Sequence, residues 1–523
     1  MHEVVITTLA KILFGLVENN TTKRKVDNMK LSKILEGIEG FKLQGNAEEE
    51  VKEIRSDSRL VEHGDMFVAI VGYKTNGHEY LEMALEKGAT VVAIQDGEYD
   101  IDKIPAGVTV IVAENTRALL ALAACNYYGH PSREFKLVGV TGTKGKTTTT
   151  YMIKSILEKA GKKVGLIGTI ANYLGDRVIE SQRTTPESLE LQKMFREMAD
   201  EKVDVVVMEV SSHSLALDRV LGNTFDIAIY TNLTQDHLDF HKTFDNYLAA
   251  KAKLFTMAKE GFVNADDMYA KKLMSMATCP ITTYGIDNNP YVCARDIIIT
   301  NSYSDFKMPF NKVMQRIKVD IPGRFTVYNA LAAICASIRL GAGVEDVLAG
   351  LEGIKVHGRS EIVPTVRNFT IMVDYAHTPD SLENILKASK VYTKGKIICV
   401  FGCGGDRDTA KRPMMGEISG KIAGLTVITS DNPRSEKPED IVAQIEEGIK
   451  KTSGKYKVIV DRKKAIEYAL RQAGKNDLVL VAGKGHETYQ EINGEKHHFD
   501  DREVIAEALK KLPEPKDKSL YAW

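Results

Sequence analysis

Residues 139–149 constrain the fold of this chain more than any other part of its sequence. They read Gly-Val-Thr-Gly-Thr-Lys-Gly-Lys-Thr-Thr-Thr and follow an apolar run at 135–140. Apolar side chains then recur at helical spacing from Met152 to Ala160, and Gly161 ends the pattern. A strand, a glycine-rich loop and a helix start in this order present backbone N–H groups to an anion, and a lysine adds positive charge. The segment therefore predicts a loop that binds nucleotide phosphates.

The loop supplies the individual groups that phosphate binding needs. Lys146 stands at the predicted helix start, where its ammonium reaches phosphate oxygens, and Thr147 offers a hydroxyl to Mg²⁺. The strict Walker pattern has glycine where this chain has Val140. A glycine–lysine pair alone usually indicates only a turn, but the strand before it and the amphipathic helix after it favour a nucleotide site. We expect ATP and Mg²⁺ here, with a binding set of Gly142, Thr143, Lys144, Gly145, Lys146, Thr147 and Thr148.

Composition and charge argue against several other classes of protein. The chain has 70 Lys and Arg against 71 Asp and Glu, so nothing indicates a nucleic-acid partner. No apolar run approaches the roughly 18 residues that a membrane span needs. The six cysteines lack paired spacing, which is typical of proteins in a reducing cytoplasm. Cys399 and Cys403 are the closest pair, and we expect them to be buried rather than to bind zinc.

The alternation of apolar runs and helical patterns predicts an α/β protein with three domains, at 29–133, 134–356 and 357–523. Residues 1–28 form a predicted disordered extension without the features of a signal peptide. The first domain has predicted strands at 65–71, 90–94 and 109–112, and helices at 80–87 and 116–128. The central domain has predicted strands at 135–140, 163–168, 203–210 and 226–233. The C-terminal domain has predicted strands at 370–373, 396–401, 425–429, 457–460 and 477–482. Mostly parallel sheets follow from this rhythm, with ligands beyond the C-terminal strand ends.

Two polar segments follow buried strands of the predicted central domain. Glu209 ends the apolar run 205–208, so we expect its carboxylate deep in the protein beside the phosphate loop, where it suits Mg²⁺. A surface glutamate at a strand end is the alternative, which the apolar run disfavours. His237 and His241 have the spacing of a helical metal pair. Paired histidines in a polar loop are more often incidental, so zinc is the weaker hypothesis.

Short motifs also occur in a fixed order along the chain. They are Gly-Thr-Lys-Gly-Lys-Thr at 142–147, Glu-Val-Ser-Ser-His at 209–213, Asn232 with Asp236 and His237, Tyr-Leu-Ala-Ala-Lys-x-x-Leu-Phe at 247–255, Gly-Arg-Phe at 323–325 with Asn329, Gly358 with Arg359, and Asp-Tyr-Ala-His-Thr-Pro at 374–379. Together they resemble the Mur ligase family, the ATP-dependent amide ligases of peptidoglycan synthesis. The likeness runs from about Met29 to the C-terminus.

The resemblance implies an N-terminal UDP-binding domain, a central ATPase domain with a P-loop, and a C-terminal Rossmann-like amino-acid domain. It implies N6-carboxylysine at Lys251, a change that turns a cation into an anion able to bind Mg²⁺. The implied Mg²⁺ ligands are Thr147, Glu209, His237 and Lys251. Asn329 would meet adenine, Asp374 the ribose and Arg359 the phosphates. Lys146, Lys251 and Arg359 are the implied catalytic residues. The implied contacts to the acceptor, UDP-N-acetylmuramoyl-L-alanyl-D-glutamate, are Ser58, Thr184, Thr185, Ser211 and Arg219.

Three further motifs, at 402–408, 431–434 and 483–487, resemble the members that add meso-2,6-diaminopimelate. The implied binding set is Arg407, Asp431, Asn432, Arg434, Gly483 and Glu487. Two guanidiniums suit the second carboxylate of diaminopimelate, and Glu487 can accept from its distal ammonium. The base that deprotonates the incoming amine is left unassigned.

Three alternatives remain open at this point: a lysine-adding ligase of the family, a folylpolyglutamate-type ligase, and a P-loop ATPase that makes no amide bond. The 402–408 and 483–487 segments fit the folylpolyglutamate type poorly. A motor or transport ATPase would not account for the predicted C-terminal domain of about 160 residues. We expect a cytoplasmic monomer.

Overall fold

The computed structural model describes residues 28–72, 75–175, 177–310 and 313–512. The chain divides into two compact units, Met1–Gly129 and His130–Trp523. Apart from Asn28, the predicted extension at 1–28 lies outside the described residues. The three domain boundaries also stay predictions. Among the described residues, none of the helices combines the length and the apolar character that crossing a membrane requires.

The first unit is a small α/β body built on a five-stranded sheet. Its strand order is Phe41–Gln44, Thr109–Ala113, Val91–Gln95, Met66–Val68 and Ile54–Arg55. The first pair is antiparallel and the other pairs are parallel. A short pair joins Met29–Lys30 to Glu50–Val51. The α-helices are Leu31–Ile34, Leu81–Glu86 and Thr116–Tyr127, and 3₁₀ turns cover Ser58–Leu60, Gly77–Tyr80 and Ile101–Lys103.

The second unit contains a nine-stranded sheet whose middle is parallel. Its order is Arg177–Glu180, Ala171–Leu174, Val164–Ile167, Val205–Glu209, Lys136–Thr141, Phe225–Tyr230, Ala258–Asn264, Ile281–Gly285 and Val292–Cys293. The strands from Val164–Ile167 onward pair in parallel, and the first two form an antiparallel edge. The strand before the phosphate loop therefore lies near the centre, with neighbours on both sides.

Helices cover both faces of this sheet and bury it. On one face Met152 and Ile156 pack with Val138 and Val140 of the central strand, and on the other Phe195 packs with Leu137. Such strands are apolar on both faces, which is why their sequences read as unbroken apolar runs. The helices of this part are Lys146–Lys159, Ser188–Asp200, Ser212–Ala216, Leu238–His241, Phe244–Ala252, Ala270–Met276, Arg324–Arg339 and Val344–Leu351, with 3₁₀ turns at Pro131–Arg133 and Lys253–Thr256.

A six-stranded sheet forms the C-terminal part of the same unit. Its order is Glu361–Ile362, Thr370–Asp374, Leu478–Ala482, Ile397–Phe401, Leu425–Ile428 and Tyr456–Val458. Only the first pair is antiparallel within this sheet. The helices are Pro379–Tyr392, Lys411–Ile422, Pro438–Ile449, Arg462–Gln472 and Asp501–Lys511. Cys399 and Cys403 are buried in this core, as expected.

The predicted α/β class is confirmed, and the predicted strands of all three segments are present with ends shifted by a few residues. The sequence interpretation missed several further strands, including Ala258–Asn264 and Ile281–Gly285 of the nine-stranded sheet, and it missed three antiparallel elements. These are the hairpin Ala171–Leu174 with Arg177–Glu180, the sheet Arg295–Ile299, Ser304–Phe310 and Val313–Val319, and the hairpin Tyr489–Ile492 with Glu495–His498. Many of their side chains are exposed, so these segments lack the apolar runs that marked the buried strands.

Candidate active site

The phosphate loop lies between the central strand Lys136–Thr141 and the helix Lys146–Lys159. Gly142 and Gly145 have φ angles of 147° and 86°, values that L side chains rarely adopt. A Cβ atom on Gly142 would overlap the Thr231 hydroxyl, and one on Gly145 would overlap the Asn329 amide oxygen. Both positions therefore require glycine for backbone conformation and for space.

The ammonium of Lys146 lies over the loop it follows. Its Nζ donates to the carbonyl oxygens of Gly142 and Thr143 at 2.9 and 3.0 Å. Burial lowers the pKa of Lys146, while the nearby carboxylates of Glu209 and Asp236 oppose that shift. The positive charge is thus held beside the backbone N–H groups at the helix start, as an anion site needs.

Glu209 is buried at the C-terminal end of its strand, as its apolar neighbours predicted, and is 1% exposed. Its Oε2 accepts from the hydroxyls of Thr147 and Thr169 at 3.0 and 3.1 Å. Its Oε1 accepts from the backbone N–H of Thr169 at 2.8 Å. The sequence interpretation missed Thr169, whose only signal is its place just after the strand Val164–Ile167.

His237 and Lys251 lie in a cluster of aromatic rings on the neighbouring segments. Lys251 is 1% exposed, its Nζ lies 4.4 Å from the centre of the Tyr247 ring, and burial lowers its pKa well below the ordinary value. The His237 ring lies 4.7 Å from that of His213. His241 instead contacts the Ser212 hydroxyl at 2.9 Å. The described residues contain no group of three or more His, Cys, Asp or Glu side chains arranged to hold a metal.

Asn329 and Arg359 reach the loop from separate segments, and Asp374 lies near Arg359. Asn329 is buried on the helix Arg324–Arg339 with its amide beside Gly145. Arg359 reaches the hydroxyl of Thr147 with Nη2 at 3.4 Å. Asp374 ends its strand and accepts from the backbone N–H groups of residues 360 and 376 at 2.7 and 2.9 Å. Burial raises the pKa of Asp374, which the nearby guanidinium of Arg359 opposes.

Four of the predicted acceptor-binding residues also meet near Glu209. Thr185 donates to the carbonyl oxygen of Glu209 at 2.8 Å and accepts from the backbone N–H of Ser211 at 3.1 Å. Arg219 donates to the Thr185 carbonyl oxygen at 3.3 Å. Thr184 shares a hydroxyl hydrogen bond with Thr169 at 3.1 Å.

Ser58, the fifth predicted acceptor contact, belongs to the first unit. It opens a 3₁₀ turn that the Asp57 side chain caps. Its side chain is buried and its hydroxyl lies 3.5 Å from the Met83 sulfur.

The loops 431–434 and 483–487 form a connected polar cluster at the C-terminal edge of the six-stranded sheet. Asn432 donates to Glu487 Oε2 at 2.8 Å and accepts from Lys484 Nζ at 3.0 Å. Lys484 is fully buried and also lies 3.5 Å from Asp431 and 3.4 Å from Glu487. Burial raises the pKa of Glu487, and Asp431 adds to that rise. The backbone of Gly483 has a φ of 113°, and its Cβ position lies 2.8 Å from Asp431.

Arg434 already has two partners within the protein. Its Nε lies 3.1 Å from Glu491, and its Nη1 donates to the Gly405 carbonyl oxygen at 2.8 Å. Glu491 belongs to the hairpin that the sequence did not reveal. Arg407, by contrast, is exposed at the cleft.

A single cleft of about 1260 Å³ brings these groups together in the second unit. It is lined by Thr169 and Thr184 near Glu209, by His237, and by the C-terminal loops. The predicted residues of the C-terminal loops that line it are Arg407, Asp431, Asn432, Arg434, Gly483 and Glu487. The cleft thus joins the threonines that contact Glu209 to a charged pocket formed by the C-terminal loops.

Three family models match successive parts of the chain. "Mur ligase family, catalytic domain" matches residues 50–128. "Mur ligase middle domain" matches residues 140–337. "Mur ligase, glutamate ligase domain" matches residues 358–485.

Known proteins are similar over nearly the whole chain. UDP-N-acetylmuramoyl-L-alanyl-D-glutamate–2,6-diaminopimelate ligase 1 of Clostridium acetobutylicum is 47% identical over 487 residues, 92% of this chain and 100% of that protein. UDP-N-acetylmuramoyl-L-alanyl-D-glutamate–2,6-diaminopimelate ligase of Caldanaerobacter subterraneus is 48% identical over 482 residues, 92% of this chain and 99% of that protein.

Solved structures give the same picture. A structure of UDP-N-acetylmuramoyl-L-alanyl-D-glutamate–2,6-diaminopimelate ligase has a TM-score of 0.66 and 30% identity, and covers 92% of this chain and 99% of its own. MurF from Acinetobacter baumannii, at 18% identity, has a TM-score of 0.60 and covers 93% of this chain and 100% of its own. The second likeness is one of fold.

Proposed function

This chain belongs to the Mur ligase family, and we propose that it joins meso-2,6-diaminopimelate to UDP-N-acetylmuramoyl-L-alanyl-D-glutamate in an ATP-dependent amide ligation of peptidoglycan synthesis. The structural observation that supports this proposal most strongly is the cleft. The cleft of about 1260 Å³ places the surroundings of Glu209 and the loops 431–434 and 483–487 in one space. The names of the similar proteins support the same substrates.

The nucleotide binds, in this proposal, at the loop Gly142–Thr148. Backbone N–H groups and the ammonium of Lys146 neutralise the phosphates. Asn329 meets the adenine and Asp374 the ribose. Arg359 reaches the phosphates, which its position 3.4 Å from the Thr147 hydroxyl supports.

The residues around Glu209 fit Mg²⁺. A buried carboxylate beside a threonine hydroxyl supplies the oxygen donors that this ion prefers, and Thr147 and Glu209 already lie 3.0 Å apart. We propose Thr147, Glu209, His237 and a carboxylated Lys251 as the residues that hold it. When bound, Mg²⁺ neutralises charge on the phosphates.

Lys251 fits that role only as N6-carboxylysine, since an ammonium repels a cation. Its burial favours the neutral amine. A neutral amine adds to CO₂: the nitrogen–carbon bond forms, one proton leaves, and a carbamate anion results. The side chain then presents oxygen atoms in place of a positive charge.

The chemistry follows from charge neutralisation and positioning. The D-glutamyl carboxylate of the acceptor attacks the γ-phosphorus of ATP, ADP leaves, and an acyl phosphate forms. The amine of diaminopimelate then attacks the acyl carbon, and inorganic phosphate leaves from the tetrahedral intermediate. Lys146 and Arg359 offset the repulsion between carboxylate and triphosphate.

The acceptor contacts are Ser58, Thr184, Thr185, Ser211 and Arg219. The four from the second unit already form one hydrogen-bonded group beside Glu209. This supports an acceptor carboxylate placed near the phosphate loop.

The distal end of diaminopimelate carries both an ammonium and a carboxylate. We assign the ammonium to Glu487 with Asp431 and Asn432, and the carboxylate to Arg407 and Arg434, with Gly483 leaving room beside Asp431. Glu491 already pairs with Arg434, whereas Arg407 is exposed at the cleft, so in this proposal Arg407 presents its guanidinium charge to the substrate. The cytoplasm, where free cysteines persist, is the proposed compartment.

The test is phosphate release from ATP by the purified chain with each substrate added alone and both together. The proposal predicts release that requires both the acceptor and diaminopimelate. Release from ATP without the amine would instead favour the alternative P-loop ATPase.

A further inference from the structure

Arg462 lies outside the proposed site but contacts the backbone at the start of two loops of that site, 431–434 and 483–487. It is fully buried and pairs with Asp501, which is also fully buried. Nε and Nη2 donate to the two Asp501 oxygens at 2.8 and 2.7 Å. The same guanidinium donates to the Ala482 carbonyl oxygen at 3.0 Å and to that of Ser430 at 3.4 Å. Each carbonyl belongs to the residue just before a binding loop, Ser430 before Asp431 and Ala482 before Gly483.

The sheet does not join these two loops directly. The strands Leu425–Ile428 and Leu478–Ala482 do not pair with each other, because Ile397–Phe401 lies between them and pairs with both. Arg462 spans the gap at the C-terminal edge. Its planar, rigid fork of N–H donors fixes two carbonyl oxygens at once, which a lysine ammonium on a flexible stem does less well.

On the premise of the proposed ligase, we propose that Arg462, held by Asp501, is a positioning residue that sets the spacing between the loops 431–434 and 483–487 and so the recognition of the amine substrate. The spacing matters because Asn432 donates to Glu487 across the two loops at 2.8 Å. Both residues are assigned to the distal end of the amine. A shift of about 1 Å at positioning groups can cost about 100-fold in rate.

A buried ion pair that served only stability would act differently. Its loss would lower the melting temperature and the amount of folded enzyme without selecting one substrate. The positioning role instead predicts an effect on the amine and little effect on ATP, because Arg462 contacts the amine loops and not the phosphate loop.

The experiment compares full-length wild type with Arg462→Lys and Asp501→Asn. The second change keeps the shape of the side chain and leaves Arg462 in place. Arg367→Ala is the matched control: Arg367 also donates to backbone carbonyl oxygens, those of Leu509 and Leu512 at 3.2 and 2.9 Å. It precedes the strand Thr370–Asp374, at the opposite edge of the sheet from the loops.

Steady-state kinetics give KM for diaminopimelate, KM for ATP and kcat for each variant. We expect Arg462→Lys and Asp501→Asn to raise KM for diaminopimelate about tenfold or more, with KM for ATP within about twofold. Arg367→Ala should lower the melting temperature and leave both KM values unchanged.

The wild type is measured first, because a wild type inactive with diaminopimelate contradicts the proposed function itself. With an active wild type, an unchanged KM for diaminopimelate in either folded variant overturns the positioning role. An equal rise in both KM values also overturns it, since that indicates general loosening.

Discussion

The hydroxyl of Thr147 donates to Oε2 of Glu209 at 3.0 Å, joining the first turn of the phosphate-loop helix to the end of a buried neighbouring strand. The contact crosses 62 residues of sequence. It places a hydroxyl and a carboxylate, both suited to Mg²⁺, beside the loop that we propose holds the phosphates.

Glu209→Gln should therefore abolish most of the activity. The amide keeps the shape of the side chain and removes the negative charge, and we expect kcat to fall by about 100-fold or more. The matched control is Glu197→Gln, which changes a carboxylate that pairs with Arg177 at the surface. Kinetics across a Mg²⁺ titration provide the measurement, and near-normal activity of Glu209→Gln at any Mg²⁺ concentration would remove this residue from the site.

Lys146→Ala should abolish ligation while the protein stays folded. The variant loses a charge-assisted contact worth about 1.5–3 kcal/mol in the ground state, and more where phosphate charge develops in the transition state. Lys154→Ala on the same helix is the control, since Lys154 pairs with Glu158 away from the loop. Circular dichroism checks that the variant is folded. Phosphate release by Lys146→Ala at the wild-type rate would contradict the assignment of Lys146 to the phosphate site.

Lys251→Ala should be nearly inactive and should regain part of its activity with added short carboxylates. These anions can occupy the place of the proposed carbamate in the space that the lysine leaves. Lys253→Ala, which changes an exposed lysine two residues away, should behave as wild type. Mass spectrometry does not preserve every carbamate, so activity with and without formate or acetate is the measurement. Full activity of Lys251→Ala without a supplement rules out the role.

The sequence predicts most of the central parallel strands, because strands covered on both faces read as continuous apolar runs. It missed Ala258–Asn264 and Ile281–Gly285, which contain charged or polar residues and lack such a run. It also placed Glu209, since four apolar residues before a carboxylate predict a buried strand end. The strand, glycine-containing loop and helix of this segment are present as predicted, and Val140 in place of glycine does not prevent them. Phosphate binding by the loop stays a prediction.

Contacts between distant segments could not be predicted in the same way. Lys144 pairs with Asp380, 236 residues away, and neither residue has a local pattern that marks a partner. Thr169 and Glu491 are ordinary polar residues until the fold brings them to Glu209 and Arg434. The exposed hairpins were missed because their partly exposed strands lack the apolar runs that marked the buried ones.

Arg434→Ala should reduce selection for diaminopimelate and spare ATP binding. Its guanidinium is shared between Glu491 and the Gly405 carbonyl oxygen, so truncation leaves Glu491 without this cation and loosens the pocket. We expect the preference for diaminopimelate over lysine to fall about tenfold or more, with KM for ATP unchanged. The control is Lys457→Ala, which changes a residue of the edge strand Tyr456–Val458. Glu436→Gln is unsuitable because Glu436 pairs with buried Arg412. A retained preference in Arg434→Ala would assign the carboxylate to Arg407 alone.

The most direct test of the account is phosphate release from ATP by the wild type with UDP-N-acetylmuramoyl-L-alanyl-D-glutamate and either meso-2,6-diaminopimelate or L-lysine. The two amines differ in one carboxylate, the group that Arg407 and Arg434 are proposed to bind. We predict a kcat/KM for diaminopimelate at least about 100-fold above that for lysine, the scale of a lost buried polar contact. Comparable values for the two amines, or release that needs neither amine, would contradict the account.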